Sequence, residues 1–387
     1  MDLLSGNHDE IEHRGEPRSS PISSVTSGVQ QISVNNARKD VTASTKTEPT
    51  PYYGKNYRQA KDIPTHLHDQ VNNMDKEQRE RMRDTLRLIF EAQMITNTAH
   101  DEPDAPPIQI FNHFDDEPTP PFEFYYTNLM WHTEGVPPPD YQGLKGCDCV
   151  GGCNPKSKTC ACIKRQRLQF RDIENDPHRW LPEGFMYNEK GILVQTNFPI
   201  IECNDACRCS DECMNRVVQR GRRCHVKIEK TEKKGWGVFA VKKIPRGTFV
   251  GIYSGEVLRE EDGEKRGQFY TKAGRTYLFD IDCWHIGQTE NLYTIDAYHA
   301  GNFTRFLNHS CDPNCSISFV YHNDADLSKP LFALFTKKDV ALGEELTFSY
   351  SGEDDEDLDE VMRNQKPLYQ DCYCGSKNCR GYIFRYK

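Results

Sequence analysis

Nine of the sixteen cysteines in this chain lie between Cys147 and Cys213, in two tight clusters. The first reads Cys147-x-Cys149-x3-Cys153-x6-Cys160-x-Cys162, and the second Cys203-x3-Cys207-x-Cys209-x3-Cys213. A tetrahedral zinc ion takes four ligands, so three ions need twelve bonds, which six terminal and three bridging thiolates supply. A disulfide scaffold would leave one of the nine unpaired. The opening stretch, MDLLSGNHDEIEHRGE, has no apolar signal-peptide core. So many cysteines without a secretory signal point to a reducing compartment, where metal binding outweighs disulfides. The 40 residues between Cys162 and Cys203 contain KRQR and an expected loop, so the clusters are expected to meet in space rather than in sequence.

The chain has 387 residues, more than one compact domain usually holds. Hydrophobic residues make up 36% and charged ones 28%, which predicts a folded part and a solvated part. No segment approaches the roughly 20 apolar residues that span a bilayer, so no membrane association is expected. The net charge is −9 and the pI about 5.8. A non-specific DNA binder is usually basic; an acidic chain suits a basic partner.

Residues 1–60 are rich in Ser, Thr, Asn, Gln and charge, cannot bury enough surface to offset chain entropy, and are expected to be disordered. Residues 75–95 read as a helix docked on the folded body. Asp75 with Gln78 forms a capping box, and Met82, Leu86, Ile89 and Phe90 make one apolar stripe. Residues 103–141, rich in proline and aromatics, read as an extended lead-in that wraps a neighbouring domain. From about residue 223 short β-like runs alternate with turns: GWGVFAV, GTFVGIYSG, TYLFDID, YTIDA, CSISFVY, LFALFTK and ELTFSY. No run has the length of a crossover helix and no GxGxxG opens one, which excludes a doubly wound nucleotide-binding fold. The segment SGEDDEDLDE at 351–360 is expected to be a mobile acidic loop. No internal repeat is present.

Five motifs in order make the chain resemble the SET-domain histone lysine methyltransferases, in particular the histone H3 lysine 9 branch of fungal type without a chromodomain. Arg305-Phe306-Leu307-Asn308-His309-Ser310-Cys311-Asp312-Pro313-Asn314 is similar to that family's RFxNHSCxPN signature. Gly235-Trp236-Gly237-Val238 is similar to its GWGV, and Glu345-Leu346-Thr347-Phe348-Ser349-Tyr350 to its ELTFDY. The tail Cys372-x-Cys374-x4-Cys379 resembles its post-SET segment, and the nine cysteines its pre-SET domain. The resemblance covers about 110–387. It implies a mainly β SET fold of small sheets with short helices, in which the NHSC segment threads beside the ELTFSY strand in a knot-like exception to ordinary connectivity. It also implies a domain order of a disordered arm (1–60), a helical segment (61–104), the pre-SET (105–222), the SET domain (223–350), an acidic mobile loop open to an autoregulatory role (351–371) and the post-SET (372–387).

The resemblance implies transfer of methyl groups from S-adenosylmethionine to lysine 9 of histone H3, in the nucleus on chromatin, for heterochromatin formation and silencing. Tyr350 would be the catalytic tyrosine, Tyr277 would line the lysine channel, and Phe348 would set product extent, with phenylalanine leaving room for di- and trimethylation. Gly235, Trp236, Gly237, Arg305, Phe306, Asn308, His309, Tyr350 and Phe384 would form the cofactor pocket. No dedicated Asp or His base is evident, so the proton is expected to leave to water. Four zinc ions are implied: three on Cys147, Cys149, Cys153, Cys160, Cys162, Cys203, Cys207, Cys209 and Cys213, and one on Cys311, Cys372, Cys374 and Cys379. Cys224, Cys283 and Cys315 read as ordinary buried thiols, and His225, His285, His299 and His322 show no ligand spacing to one another.

Three features depart from the family pattern. Ser349 stands where an acid is usual. Residues 1–100 contain no recognisable chromodomain, which implies chromatin-recruiting partner proteins or a role for the arm. The acidic segment could cover the substrate groove and present Lys366 to it. Two rivals stand beside this reading: a SET enzyme for another histone or non-histone lysine, and a catalytically silent zinc scaffold on chromatin.

Overall fold

The computed structural model describes residues 57–65, 71, 73–121, 124–169, 182, 184–196, 198–273, 277–283, 286–287, 290–350 and 369–384. Of the expected disordered arm, residues 1–56 lie outside the described residues, as do 351–368 with Lys366, and His285. Residues 57–60 are a correction, because they are docked. The His132 amide donates to Arg58 O at 2.8 Å, Gln59 bridges His132, and the Tyr57 ring lies 5.3 Å from the His132 ring. This backbone pairing supplies a partner that composition cannot reveal.

The first helices are α1 (Lys76–Arg81) and α2 (Arg83–Thr98). The capping box closes both ways: Gln78 N–H to Asp75 Oδ1 at 2.8 Å and Asp75 N–H to Gln78 Oε1 at 3.0 Å. The expected single helix is broken at Met82 and runs on to Thr98. Leu86, Phe90 and Met94 bury one face of α2 in the main core. Phe90 meets Phe124 edge-on at 5.7 Å, and Phe124 meets Phe306 at 5.8 Å, so the helix reaches the RFxNHSC segment through two rings.

The Pro-aromatic lead-in wraps as expected, by adding edge strands. They are β1 (Gln109–Phe111), β2 (Tyr125–Tyr126) and β3 (Trp131–His132); α3 (Ala161–Leu168) and β4 (Ile200–Ile201) follow. Helix α3 carries the KRQR run. Then come β5 (Val226–Thr231), β6 (Gly235–Ala240), β7 (Phe249–Ile252), β8 (Glu256–Arg259), α4 (Glu260–Ala273), β9 (Leu278–Asp280), β10 (Tyr293–Asp296) and β11 (Ala300–Gly301). The remainder is β12 (Asn308–His309), β13 (Cys315–Tyr321), β14 (Leu331–Thr336), β15 (Glu345–Phe348), β16 (Tyr369–Asp371) and β17 (Tyr382–Phe384).

The described strands form small sheets ordered β1-β5-β6-β15-β12, β3-β8-β10-β9, β4-β13-β14-β7, β11-β2 and β16-β17. Each short lead-in strand pairs in parallel with a later one: β1 with β5, β2 with β11 and β3 with β8. The NHSC strand β12 pairs in parallel with β15, Asn308 opposite Thr347 and His309 opposite Phe348. This register fixes the two motifs side by side. The cysteine region joins the body through β4 on β13 and through Glu202. The Glu202 carboxylate is fully buried and accepts from Tyr187 Oη and from the Val217 and Val218 amides, each at 2.8 Å.

Helix α4 is absent from the sequence expectation. Gly263 and Gly267 weaken its helical signal. They serve close packing: a Cβ at Gly263 would lie 2.8 Å from Thr294 Oγ1 on β10. Arg266 then reaches Glu256 at 2.6 Å and the fully buried Asp296 at 2.7 Å, an ion pair that holds only because every partner is in place. No described helix is long and apolar enough to cross a membrane.

Candidate active site and metal centres

Tyr350 follows β15, where the chain leaves the sheet. Its hydroxyl donates to Leu307 O at 2.8 Å and its amide donates to His309 Nδ1 at 3.2 Å. The residue as a whole is 43% exposed, but its hydroxyl end is enclosed. That burial, with Tyr277 and Glu345 nearby, pushes its pKa up, so the phenol stays protonated at neutral pH.

Phe348, opposite His309, lies 5.0 Å from the Tyr350 ring, 6.0 Å from Phe279 and 6.4 Å from Tyr253. Tyr277 enters from the other side just before β9. Its carbonyl accepts the Tyr253 hydroxyl at 2.9 Å, and Arg305 covers its ring at 3.8 Å. Tyr253, Phe279, Phe348 and Tyr350 thus form one aromatic cluster.

Beside this site runs the β6 edge. Gly235 takes φ +71° with open space where a Cβ would stand. A Cβ at Gly237 would lie 2.7 Å from Glu345 Oε1 and 3.1 Å from Asn308 Nδ2, so only glycine lets these elements close. Asn308 Nδ2 donates to Glu345 Oε1 at 2.8 Å and to Trp236 O at 3.2 Å; Glu345 also pairs with Lys234. The buried Trp236 Nε1–H has no hydrogen-bond partner among the described residues. An orphaned donor beside an open glycine edge fits a polar ligand. Phe306 is buried in the core, and Arg305 is sandwiched between the Phe124 and Tyr277 rings. Phe384 lies on β17, opposite Tyr369; its side chain lies outside the described part.

The nine clustered cysteines converge. One set of sulfurs within 4.8 Å of one another is Cys147, Cys149, Cys153 and Cys160. A second is Cys147, Cys162, Cys203 and Cys207, and a third Cys147, Cys153, Cys203 and Cys209. Cys147 recurs in all three sets, and Cys153 and Cys203 in two each. Cys213 adjoins the third set: its sulfur is 4.0 Å from Cys203 Sγ and accepts the Cys153 amide at 3.4 Å. With Cys213 in place of Cys147 in the third set, three shared and six unshared thiols give three tetrahedral ions four sulfurs each. A fourth set, Cys311, Cys372, Cys374 and Cys379, also lies within 4.8 Å. The Arg380 amide donates to Cys311 Sγ and the Gly381 amide to Cys379 Sγ, both at 3.4 Å, donors that favour thiolates. Cys224, Cys283 and Cys315 are buried away from these sets, and no described histidine joins one.

The Pre-SET motif profile matches residues 100–216 and the SET domain profile residues 235–351. The chain is 38% identical over 369 residues to a Cryptococcus neoformans var. grubii protein named "Histone-lysine N-methyltransferase, H3 lysine-9 specific", covering 78% of this chain and 20% of the relative. The structure titled as the Neurospora SET domain protein DIM-5, a histone lysine methyltransferase, aligns with TM-score 0.52 and 31% identity, over 64% of this chain and 96% of that one. The chain belongs to the SET-domain family. A second similar structure, KRYPTONITE in complex with mCHH DNA, H3(1-15) peptide and SAH, aligns with TM-score 0.57 and 29% identity, over 72% of this chain and 51% of that one. This chain thus spans only a fifth of the Cryptococcus relative's length.

The five SET motifs therefore named the right family and fold. Sequence reasoning missed the packing of Tyr253 and Phe279 on Phe348, the Glu345–Asn308 contact, and the burial of His132 under residues 57–60. Tyr253 is buried, which pushes its pKa far up, with Tyr350 next among the causes. Its only sequence signal was an aromatic at the end of an apolar run. The ring nitrogens of His309 both face protein atoms, Tyr350 N and Cys311 Sγ.

Proposed function

We propose that this chain is an S-adenosylmethionine-dependent lysine methyltransferase acting on lysine 9 of histone H3, with di- and trimethyl products. The observation that carries the reading is the Tyr350 hydroxyl held on the Leu307 carbonyl, with Phe348 against its ring, near the open glycine edge. When bound, the cofactor supplies an electrophilic methyl on a sulfonium. Gly235, Trp236 and Gly237 would hold it along β6, the Trp236 indole N–H meeting a polar group. Asn308 and His309 would contact it through main-chain groups, and Phe306, Arg305 and Phe384 would wall or cap the pocket.

The chain's own residues do the rest. Lysine has a reference pKa near ~10.4, and an aromatic channel formed by Tyr277, Phe279, Phe348 and Tyr350 desolvates it and favours the neutral amine. Tyr350 Oη, fixed on Leu307 O, aligns the attacking nitrogen. Holding both reactants in line accounts for about 7–11 kcal/mol of barrier lowering in well-oriented systems. Glu345 is engaged by Asn308 and Lys234, and His309 by Tyr350 and Cys311, so neither is poised as a base. The proton leaves to water.

Zinc fits the thiol sets: three ions shared through Cys147, Cys153 and Cys203, and one on Cys311 with the tail cysteines. The pre-SET segment, 105–222, braces the SET segment, 223–350, while the post-SET, 372–387, closes the channel. The acidic net charge suits a basic histone tail. A nuclear, chromatin-bound location follows from that substrate, with recruitment by partner proteins. The test is incubation with labelled cofactor and recombinant histone H3, then a lysine-to-arginine series on the tail. Label that persists in the lysine-9 variant supports a different lysine; no label on any protein supports a silent zinc scaffold.

A further inference from the structure

His309 is 4% exposed and spans two sites. Its Nδ1 accepts the Tyr350 amide at 3.2 Å, and its Nε2 lies 3.5 Å from Cys311 Sγ. The β12–β15 pairing ends at His309 opposite Phe348. Tyr350 lies beyond that ladder, and its amide takes its partner from the His309 ring. A neutral imidazole whose Nδ1 accepts carries its hydrogen on Nε2. That hydrogen therefore points at Cys311, one of the four sulfurs of the tail set.

Groups that hydrogen-bond to a metal's ligands orient them and tune affinity. Here the outer partner's other nitrogen holds the main chain of Tyr350. One residue, Ser310, separates Cys311 from His309, but the bonded path crosses from the tail set, through one ring, into the β15 exit. The Tyr350 ring also sits against that imidazole, 5.4 Å between centroids, so a turn of the imidazole must move the phenol.

We infer that His309 is a positioning residue that couples occupancy of the Cys311–Cys372–Cys374–Cys379 metal site to the placement of Tyr350. Metal binding at the tail holds Cys311 Sγ in one place, which fixes the ring by its Nε2–H. The fixed Nδ1 then holds the Tyr350 amide and, through it, the hydroxyl on Leu307 O. The coupling is reciprocal in free energy: a His309 held by Tyr350 raises the affinity of the tail site. This inference rests on the functional reading of Tyr350 and of the tail thiols.

The test uses the full zinc-loaded chain with ¹⁵N-labelled histidine, and reads the ring tautomers by long-range proton–nitrogen correlation. Wild-type His309 is expected as the Nε2–H tautomer with an unprotonated Nδ1. Cys379→Ser, which removes a tail ligand but touches neither ring nitrogen, is expected to shift the His309 Nε2 signal and leave the other histidines in place. His309→Asn keeps an acceptor for the Tyr350 amide and loses the Cys311 contact; it should weaken tail zinc on the order of tenfold. His309→Gln reaches Cys311 but loses Tyr350; it should keep tail zinc near wild type and lower kcat on the order of tenfold with KM little changed.

An Nδ1–H tautomer in the wild type, or His309 signals unmoved by Cys379→Ser, overturns the coupling. The wild-type tautomer needs no variant to fold. Failure of the methyl-transfer reading is separate: the expected tautomer and zinc responses in a chain that transfers no methyl would leave the coupling standing and sink the function.

Discussion

The Arg305 guanidinium lies 3.8 Å from the centroid of the Tyr277 ring. Its opposite contact is the Phe124 ring at 4.1 Å, and its Nε donates to Ala297 O at 2.8 Å. A residue whose motif suggests a pocket lining is thus the back support of the proposed lysine channel. Through Phe124 it also ties that channel to α2, which the sequence alone reads as a helix docked on the folded body.

Arg305→Lys should expose this arrangement. A lysine keeps the charge but cannot stack a planar group on two rings or reproduce the donor geometry. The expected cost is about 2 kcal/mol, from a desolvated cation–π contact and a lost hydrogen bond. Urea denaturation checks the stability, and methyl-transfer kinetics should show a lower kcat.

Tyr350→Phe removes one hydroxyl and leaves the ring packing on Phe348 and His309. Stability should change by no more than about 1 kcal/mol, the scale of one hydrogen bond. Methyl transfer should fall by about 100-fold or more, since the group that aligns the amine is gone. Parallel melting curves and labelled-cofactor assays check both halves. Equal activity in the two proteins would assign Tyr350 to structure alone.

Phe348→Tyr places a hydroxyl among Phe279, Tyr253 and Tyr350. That oxygen fills space needed for a methylated amine to turn. Mass spectrometry of the peptide product should show accumulation of monomethyl lysine in place of di- and trimethyl. Trimethylation at the wild-type rate would reject this role for Phe348.

The thiol sets make an uneven prediction for metal content. Cys147, Cys153 and Cys203 are shared, so Cys147→Ser should cost the chain more than one of its four zinc ions, whereas Cys149→Ser should cost at most one. Elemental analysis after gel filtration reads this directly. Stripping the tail site with a chelator should abolish methyl transfer before the cluster is lost, because the tail thiols are less buried than the cluster.

His132 predicts a pH dependence of stability. It is 6% exposed, and burial, followed by nearby Lys329, pushes its pKa down from 6.5 to about 4. Between these values the unfolded chain binds a proton that the folded chain does not, so stability rises with pH across that window and falls on acidification. At pH 5 the expected loss is about 2 kcal/mol relative to neutral pH. Denaturant midpoints at pH 7 and pH 5 should differ more for the wild type than for His132→Gln.

The sequence by itself determined the chemistry available and the local pattern. Nine thiols at ligand spacing demanded metal, short alternating runs demanded small sheets, and five motifs in order demanded the SET family. These features are legible because each depends on residue type and on neighbours a few positions away. Only the tertiary structure decided which thiols are shared, that Arg305 backs Tyr277, that a glycine-bearing helix α4 packs on β10, and that His309 stands between Cys311 and Tyr350. Each of these is a distance between segments far apart in the chain. Such distances are set by sheet register and core packing, which no single stretch of sequence encodes.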